Sequence, residues 1–422
     1  MNQYKPIRDI KESFWTLAFI LCGSTGLSGM ILGWQLANKF GASVSIGSLC
    51  VGNLLIWLIG MAIITMASHN RINSIENIKK VLGNGVAILS AIFLIIAFLS
   101  WNIYQLKSAT IVIDDFFQIN KVVQNGLSIR IGAALGAFAS LIAIGGFRII
   151  KWMSFISFPL MIFYYLFGLI SSDSTVVLES HWKLSLSVIS SVVLFYLLGI
   201  INFPTLFRHS RSLEDSYLAL TIMTVVFTFF QISSFYLKVQ DFEAPDFYFL
   251  TKLGISFQLF VIAFIIITTV TNMLVNIYFA SACWEFAFPK FEGTKEYAII
   301  GLIGTAAYTF IQISAPMKLL IDLSNYFLAN LGIVLLLTSL LEIVVKKNTR
   351  ILGRAIGISA WIAACIAAII LEVKNPNNNQ THTLLFSMGV CTLFFLGVIF
   401  IEETAWSIKK IIQRKKSSFD TK

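Results

Sequence analysis

Twelve apolar runs follow one another along the chain, each bounded by short polar stretches. They cover approximately 13–37, 44–67, 85–107, 130–147, 150–170, 184–204, 217–238, 254–280, 297–314, 318–342, 353–371 and 383–403. A helix needs roughly 20 apolar residues to cross the hydrocarbon core of a bilayer. Each run therefore predicts a membrane-spanning helix, and the connections between them are too short to hold a separate soluble domain. The expected fold is all-α and polytopic, with about 12 transmembrane helices.

Two runs carry residues that oppose helix. The first contains "CGSTGLSG" (22–29), with Gly23, Gly26 and Gly29 beside Ser24 and Thr25. The sixth contains "LLGIINFPTLFR" (197–208), where Gly199 and Pro204 flank Asn202. Proline lacks a backbone donor and disfavours helix at Phe203 before it. Unpaired backbone groups are costly in lipid, so such breaks survive only inside protein or beside a polar cavity. Broken spans at corresponding positions of two halves mark transporters built from inverted repeats. Spans one and six correspond if each repeat has five spans. That divides the chain into an N-terminal tail (1–12), a ten-helix core (13–342), two additional helices (343–403) and a basic C-terminal tail (404–422). Gly29 and Gly33, and likewise Gly132 and Gly136, have the four-residue spacing of close helix packing. Gly29 reads equally well as packing or as part of the first break.

Composition fixes the solvent. Of the 422 residues, 57% are hydrophobic and 12% charged, against about a quarter charged in soluble domains. With both termini on one side, that side carries 22 of the 31 Lys and Arg residues. This bias places both termini in the cytoplasm, with the chain as a multi-pass protein of the cytoplasmic membrane. It also accounts for the net charge of +10 without nucleic acid. The tail "KKIIQRKK" (409–416) reads as solvated and positive-inside, with contact to anionic lipid as the alternative. The five cysteines fall in or at the ends of apolar runs without metal spacing, and are expected to be buried small hydrophobes. The first run has no processing site and is too long for a signal-peptide core, so no cleaved leader is expected.

Polar side chains inside spans are candidates for function. In "WNIYQ" (101–105), Trp101 and Gln105 are four residues apart and share a helix face. A flat ring beside an amide suits a flat heterocycle, stacked on one side and hydrogen-bonded at its edge; an interfacial tryptophan is the plainer reading. In "TTVTNMLVNIY" (268–278), Asn272 and Asn276 have the same spacing, next to Thr268 and Thr271. They read as interhelical glue or as a binding site. No nucleophile–base pair, metal-ligand cluster or phosphate loop occurs, and an enzyme is not expected.

Four stretches resemble the nucleobase:cation symporter-1 family, the cytosine and hydantoin permease group. They are "LIAIGGFRIIKWMSFISFPLMI" (141–162), "WNIYQ", "INFPTLFRHSR" (201–211) and "TNMLVNIYFASACWEFAFPK" (271–290), within a resemblance over roughly residues 13–342. The resemblance implies a LeuT-like (APC superfamily) inverted 5+5 repeat with helices 1 and 6 broken. Substrate would sit at the breaks between spans three and eight. Trp101 would stack on the ring, Gln105 and Asn276 would bond its edge, and Tyr196 would supply a second stacking face. Ser24, Thr25 and Asn272 are further candidates for the substrate.

A coupling ion, sodium or a proton, is implied, with no other cofactor and no further metal. Sodium would take the carbonyls of Leu17 and Ile20 and hydroxyls of span eight. The matching span-eight pair is Val270 and Thr271, and valine offers no oxygen, so Thr268 or Thr269 must substitute. Thr205 stands where the family has an acid before its arginine, here Arg208. The implied function is cation-coupled import of a small planar heterocycle by alternating access, with a small molecule and the bilayer as partners and a monomer as a sufficient state. The alternatives are an amino-acid or vitamin carrier of the same fold, or a non-transporting membrane sensor.

Overall fold

A chain that cannot offer its peptide groups to water inside a bilayer must pair them within each segment, which leaves helix as the economical solution here. The computed structural model describes residues 11–68, 71–119, 127–171, 182–237, 255–289, 295–310, 325–338, 341, 350–374 and 380–419. Among these residues every element is helical apart from one isolated backbone bridge between Glu12 and Ser210. The helices are α1 (Phe14–Gly23), α2 (Gly26–Phe40), α3 (Ala42–Ser68), α4 (Ser74–Leu82), α5 (Asn84–Ile119), α6 (Leu127–Ile142), α7 (Gly146–Ser171), α8 (Leu186–Ile201), α9 (Phe203–Phe207) and α10 (Leu213–Ser233). They continue with α11 (Ile255–Ala287), α12 (Lys295–Phe310), α13 (Asn325–Thr338), α14 (Arg350–Lys374) and α15 (Gln380–Phe419).

Each of the twelve predicted spans contains helix among the described residues; positions 238, 254, 311–314, 318–324, 339, 340 and 342 of these runs lie outside the described part. Seven helical stretches among the described residues are long and apolar enough to cross a membrane, and α1, α8 and α13 are shorter apolar helices. Spans one and six are each two helices, α1 with α2 and α8 with α9. The first ten residues of the N-terminal tail lie outside the described part. The last helix, α15, continues through the basic tail to Phe419.

The packing maps onto itself when the two five-span halves are exchanged. α5 packs along α11, α6 along α12 and α3 along α10, each span against its counterpart. α3 rests on α8, and the counterpart α10 rests on α1 and α2. α14 and α15 pack chiefly on each other, as expected of two added helices. The result is the LeuT-like all-α plan, with the two broken spans inside the bundle.

Small residues set the close approaches. A Cβ on Gly33 would lie 2.3 Å from the Gln231 carbonyl of α10. Cβ atoms on Gly132 and Gly136 would strike Tyr308 and Thr305 of α12. Both four-residue glycine pairs thus include packing positions. Between α6 and α7 a single 3₁₀ turn leads to Gly146 at φ +55°, a left-handed conformation that glycine adopts without strain. α4, between spans two and three, is an element the apolar pattern does not announce. It is closed by a capping box in which Asn73 and Glu76 bond each other's backbone, and it buries Ile75, Ile78 and Val81. Four of the five cysteines are buried as expected; Cys50 faces outward.

Candidate functional site

The two breaks differ in construction. At the first, Ser24 and Thr25 separate α1 from α2. Gly23 is the last residue of α1 and Gly26 the first of α2, so the glycines bound the joint and the two hydroxyl residues form it. Ser24 Oγ donates to the Leu21 carbonyl at 3.0 Å and Thr25 Oγ1 to the Cys22 carbonyl at 2.7 Å. Both hydroxyl hydrogens therefore serve the backbone of α1. Ser157 of α7 donates to the Gly23 carbonyl at 2.7 Å, and a Cβ on Gly23 would meet the Ser154 backbone at 3.0 Å. The carbonyl groups freed at this joint are satisfied by side chains, as burial in an apolar interior demands.

At the second break a single residue, Asn202 (φ −95°, ψ 0°), separates α8 from α9. Pro204 sits in the first turn of α9, where its missing N–H is no loss. Asn202 Nδ2 donates to the Leu198 carbonyl at 3.1 Å, while its Oδ1 is buried with no partner among the described residues. Gly199, expected to belong to this break, is helical. A Cβ placed there would meet nothing within 4 Å, so its role is to leave room rather than to bend the chain.

That room is part of a cavity of about 100 Å³ between the joints, α5, α10 and α11. Trp101 and Phe98 of α5, Phe195 and Tyr196 of α8, Phe227 of α10 and Phe279 of α11 make its walls largely aromatic. The Trp101 ring lies edge-to-face with Phe195 at 5.3 Å and stacked near Tyr104 at 5.1 Å. No charged residue lines the cavity among the described residues. The polar groups are Ser24, Thr25, Tyr196, Asn272 and Asn276.

The amides form a directed relay. Asn272 Nδ2 donates to the Ser24 carbonyl at 2.5 Å, and Asn276 Nδ2 donates to Asn272 Oδ1 at 2.9 Å. A backbone carbonyl only accepts, so Asn272 must turn its NH₂ toward Ser24 and its oxygen toward Asn276. Asn276 Oδ1 is then an acceptor at the cavity wall. A second relay lies behind Tyr196. Asn53 Nδ2 donates to Gln231 Oε1 at 2.6 Å and to Thr228 at 2.9 Å, and Gln231 Nε2 donates to the Tyr196 hydroxyl at 2.9 Å. The Tyr196 hydroxyl accepts there and keeps its own hydrogen to donate.

Six of the seven predicted substrate residues line this cavity; Gln105 does not. It is buried one helical turn from Trp101, about 6 Å along α5, with its amide nitrogen unpartnered among the described residues. Sharing a helix face is not sharing a depth. Of the predicted cation residues, Ile20 lines the cavity, and Leu17, Thr268 and Thr271 are fully buried away from it. Ile20 O accepts from Ser24 N at 3.1 Å. Thr268 and Thr271 donate to the Phe264 and Ile267 carbonyls at 2.8 and 2.7 Å, which leaves only their oxygen lone pairs for an ion. No cluster of three His, Cys, Asp or Glu side chains occurs among the described residues. Asn53 and Gln231 were not singled out from sequence, although each is a lone amide inside an apolar span.

At the basic face, past the end of α9, Arg208 and His209 converge on Tyr278 of α11. Arg208 Nη2 donates to the Tyr278 hydroxyl at 3.0 Å, and His209 Nε2 lies 2.8 Å from it. The His209 ring packs on Phe147 at 4.4 Å. Burial, and then the Arg208 charge, lower the His209 pKa to about 3. In the lead-in to α1, Glu12 N donates to the His209 carbonyl at 2.7 Å and Arg211 N donates to the Glu12 carbonyl at 3.1 Å. Lys151 of α7 holds the Glu12 carboxylate at 2.8 Å.

The arrangement defines a fold class: a polytopic all-α membrane bundle of the LeuT-like plan, with a small cavity at the meeting of two broken helices. Solved structures of that class superpose on this chain. The nucleobase-cation-symport-1 family transporter Mhp1, in a closed conformation with bromovinylhydantoin bound, is 14% identical and covers 94% of each chain at TM-score 0.70. A Na⁺-coupled sialic acid symporter in a substrate-bound outward-open state is 11% identical, covers 91% of this chain and 89% of its own, and gives 0.68. A mutant of the manganese transporter of Eremococcus coleocola is 14% identical, covers 96% and 99%, and gives 0.59. No protein-family model matches the chain, and no curated protein matches it in sequence. The likeness is one of fold, and these neighbours are transporters rather than enzymes.

Proposed function

We propose that this chain is a cation-coupled secondary transporter related to the nucleobase:cation symporter-1 family, importing a small, neutral, planar heterocycle with an N–H beside a carbonyl. The observation that carries this reading is the amide relay, which leaves the Asn276 oxygen as an acceptor facing an aromatic cavity. Tyr196 lines another wall, and its hydroxyl, which accepts from Gln231, is the donor in this reading. A lactam or imide edge, as in a nucleobase or hydantoin, meets both. Trp101 and Tyr196 are the stacking rings. The uncharged lining argues against an amino-acid zwitterion, whose carboxylate and ammonium would both lie unpaired in a dry site.

Residues 13–342 form the transport core, 343–403 two additional helices, and the basic face is cytoplasmic. Transport proceeds by rocking of one bundle about the site, a monomer being sufficient. The Leu17 and Ile20 carbonyls with Thr268 and Thr271 are the sodium ligands in the sodium-coupled version of this reading. Because Val270 contributes no oxygen, proton coupling is its rival.

The test is uptake of a labelled panel of nucleobases and hydantoins into cells expressing the chain, with and without a sodium gradient. Uptake of at least one member, competed by its neutral analogues, is expected. Uptake of none, with the protein present in the membrane, would sink the reading and leave the sensor alternative.

A further inference from the structure

A second cavity, of about 290 Å³, opens at the basic face between the turn that precedes α4 and the exit of α9 into α10. Three arginines line it: Arg71, Arg208 and Arg211. Ser210, Ser212 and Ser216 lie beside them, over an apolar floor that includes Pro204 and Phe207. No acidic residue lines it among the described residues. Glu214 and Asp215, in the first turn of α10, stand outside its lining. The Glu12 carboxylate is held by Lys151.

The three guanidiniums are lightly engaged. Arg208 bonds the Tyr278 hydroxyl through Nη2 and feels the charge of Glu285, but its buried Nε has no partner among the described residues. Among the described residues, Arg71 Nη2 reaches only the Arg211 carbonyl, at 3.4 Å. Arg211 Nε reaches the Lys11 carbonyl at 3.4 Å. Arg71 also stands at φ +48°, the one non-glycine residue with positive φ among the described residues. Gathering like charges on one concavity is unfavourable unless something negative repays it, and a strained backbone at a ligand-facing residue is how such sites are held in shape.

We propose that this cavity is an anion site for a phosphate group, held by Arg71, Arg208 and Arg211. Guanidinium forks match phosphate oxygens in pairs, and three of them suit a group with several oxygens. The phosphate comes either from an anionic phospholipid headgroup at this face or from a soluble phosphate. The site bridges segments that lie far apart in the chain. Arg208 and Arg211 follow α9, and Arg71 precedes α4. An anion here holds the end of broken span six against the span two to three turn. The site stands apart from the central cavity, and its occupancy does not depend on which substrate that cavity takes.

The test uses the full chain purified in neutral detergent, with thermal unfolding as the readout. Sodium pyrophosphate is titrated against sodium chloride at matched ionic strength, and in a separate arm the protein is placed in nanodiscs of phosphatidylcholine with or without phosphatidylglycerol. Because Arg208 is buried, the variants are R71Q/R211Q, both at exposed positions, with R71K/R211K as the charge-keeping control. A saturable rise in Tm with pyrophosphate, absent with chloride and lost in R71Q/R211Q, supports the site and a soluble source. A rise only with phosphatidylglycerol, again lost in R71Q/R211Q and partly kept in R71K/R211K, supports a lipid headgroup. No rise in either arm, or the same rise in R71Q/R211Q as in the parent, overturns the proposal.

Discussion

Asn272 of α11 donates its amide hydrogen to the backbone oxygen of Ser24, 2.5 Å away at the first helix joint. One side chain thereby caps the joint, fixes the amide of Asn276 and decides which atom the cavity shows. N272A should leave both the Ser24 carbonyl and the Asn276 NH₂ without partners. An unsatisfied buried polar group costs about 1–3 kcal/mol, so substrate affinity should fall roughly 10- to 100-fold, read as the concentration dependence of uptake. N276A should lose affinity by a similar factor while keeping the Asn272–Ser24 bond, and because it strands only the Asn272 oxygen at the cavity wall it should lower Tm less than N272A does. If the two variants lower Tm equally and neither changes affinity, the relay is structural only.

Gly199 offers a separation of stability from binding. It is helical and faces open space, so G199A should stabilise α8 by up to about 1 kcal/mol through helix propensity. The same methyl group projects into a cavity of only about 100 Å³. Tm should hold or rise while uptake falls. A variant that transports normally would show that the ring does not reach α8.

Gln231 and Asn53 reach the cavity only through Tyr196. Q231L should free the Tyr196 hydroxyl and leave the Asn53 amide with Thr228 alone, weakening binding several-fold. N53L should do less, since Gln231 can still hold Tyr196. The double variant should cost less than the sum of the singles, as members of one network do. Strict additivity in a double-mutant cycle would refute the coupling.

Glu12 and Lys151 join the lead-in of α1 to α7 at the basic face. The pair is half-buried at the edge of the bundle, and an ion pair near the surface contributes about 0–1 kcal/mol, so E12Q and K151M should lower Tm only slightly. They should still ease separation of α1 from α7. The native reporter is Cys22, fully buried in α1. In a background lacking the other cysteines, a polar thiol reagent should label Cys22 faster in both variants. Unchanged labelling would mean the pair does not restrain α1.

His209 sets a pH dependence with a definite sign. Its pKa in the folded protein is about 3, held down by burial and by Arg208, with Tyr278 and Phe147 as its ring contacts. The unfolded chain has the ordinary value near 6.5. The unfolded state therefore binds a proton first, and stability is full above about pH 6.5 and falls as pH drops toward 3. Between pH 6.5 and 5, above most carboxylate titrations, H209Q should flatten the slope of Tm against pH. An unchanged slope would remove His209 from the account.

Much of the fold was open to reading because lipid imposes a simple rule. Apolar length identifies spans, and glycine, proline and hydroxyl residues inside them identify breaks, so α1–α2 and α8–α9 fall where the pattern placed them. α4 escaped because nine half-polar residues carry no such length signal. The site was legible in its residue types and less so in depth. Asn272 and Asn276 are neighbours on one face and meet. Trp101 and Gln105 have the same spacing, yet only Trp101 reaches the cavity, since position along the axis depends on where the opposing helices leave space. Gln231 and Asn53 lie 178 positions apart, and no local pattern links them.

The bridge between Glu12 and Ser210 is made of main-chain atoms alone, two hydrogen bonds that close the lead-in of the first broken span onto the exit of the second. Evolution can therefore exchange the side chains along it freely without loosening the clasp. An alanine scan along it would report the other roles of these side chains and leave the clasp itself intact. Only proline, by deleting the N–H of residue 12 or 211, would cut the clasp directly, so two ends far apart in the chain can stay fastened while their sequences drift.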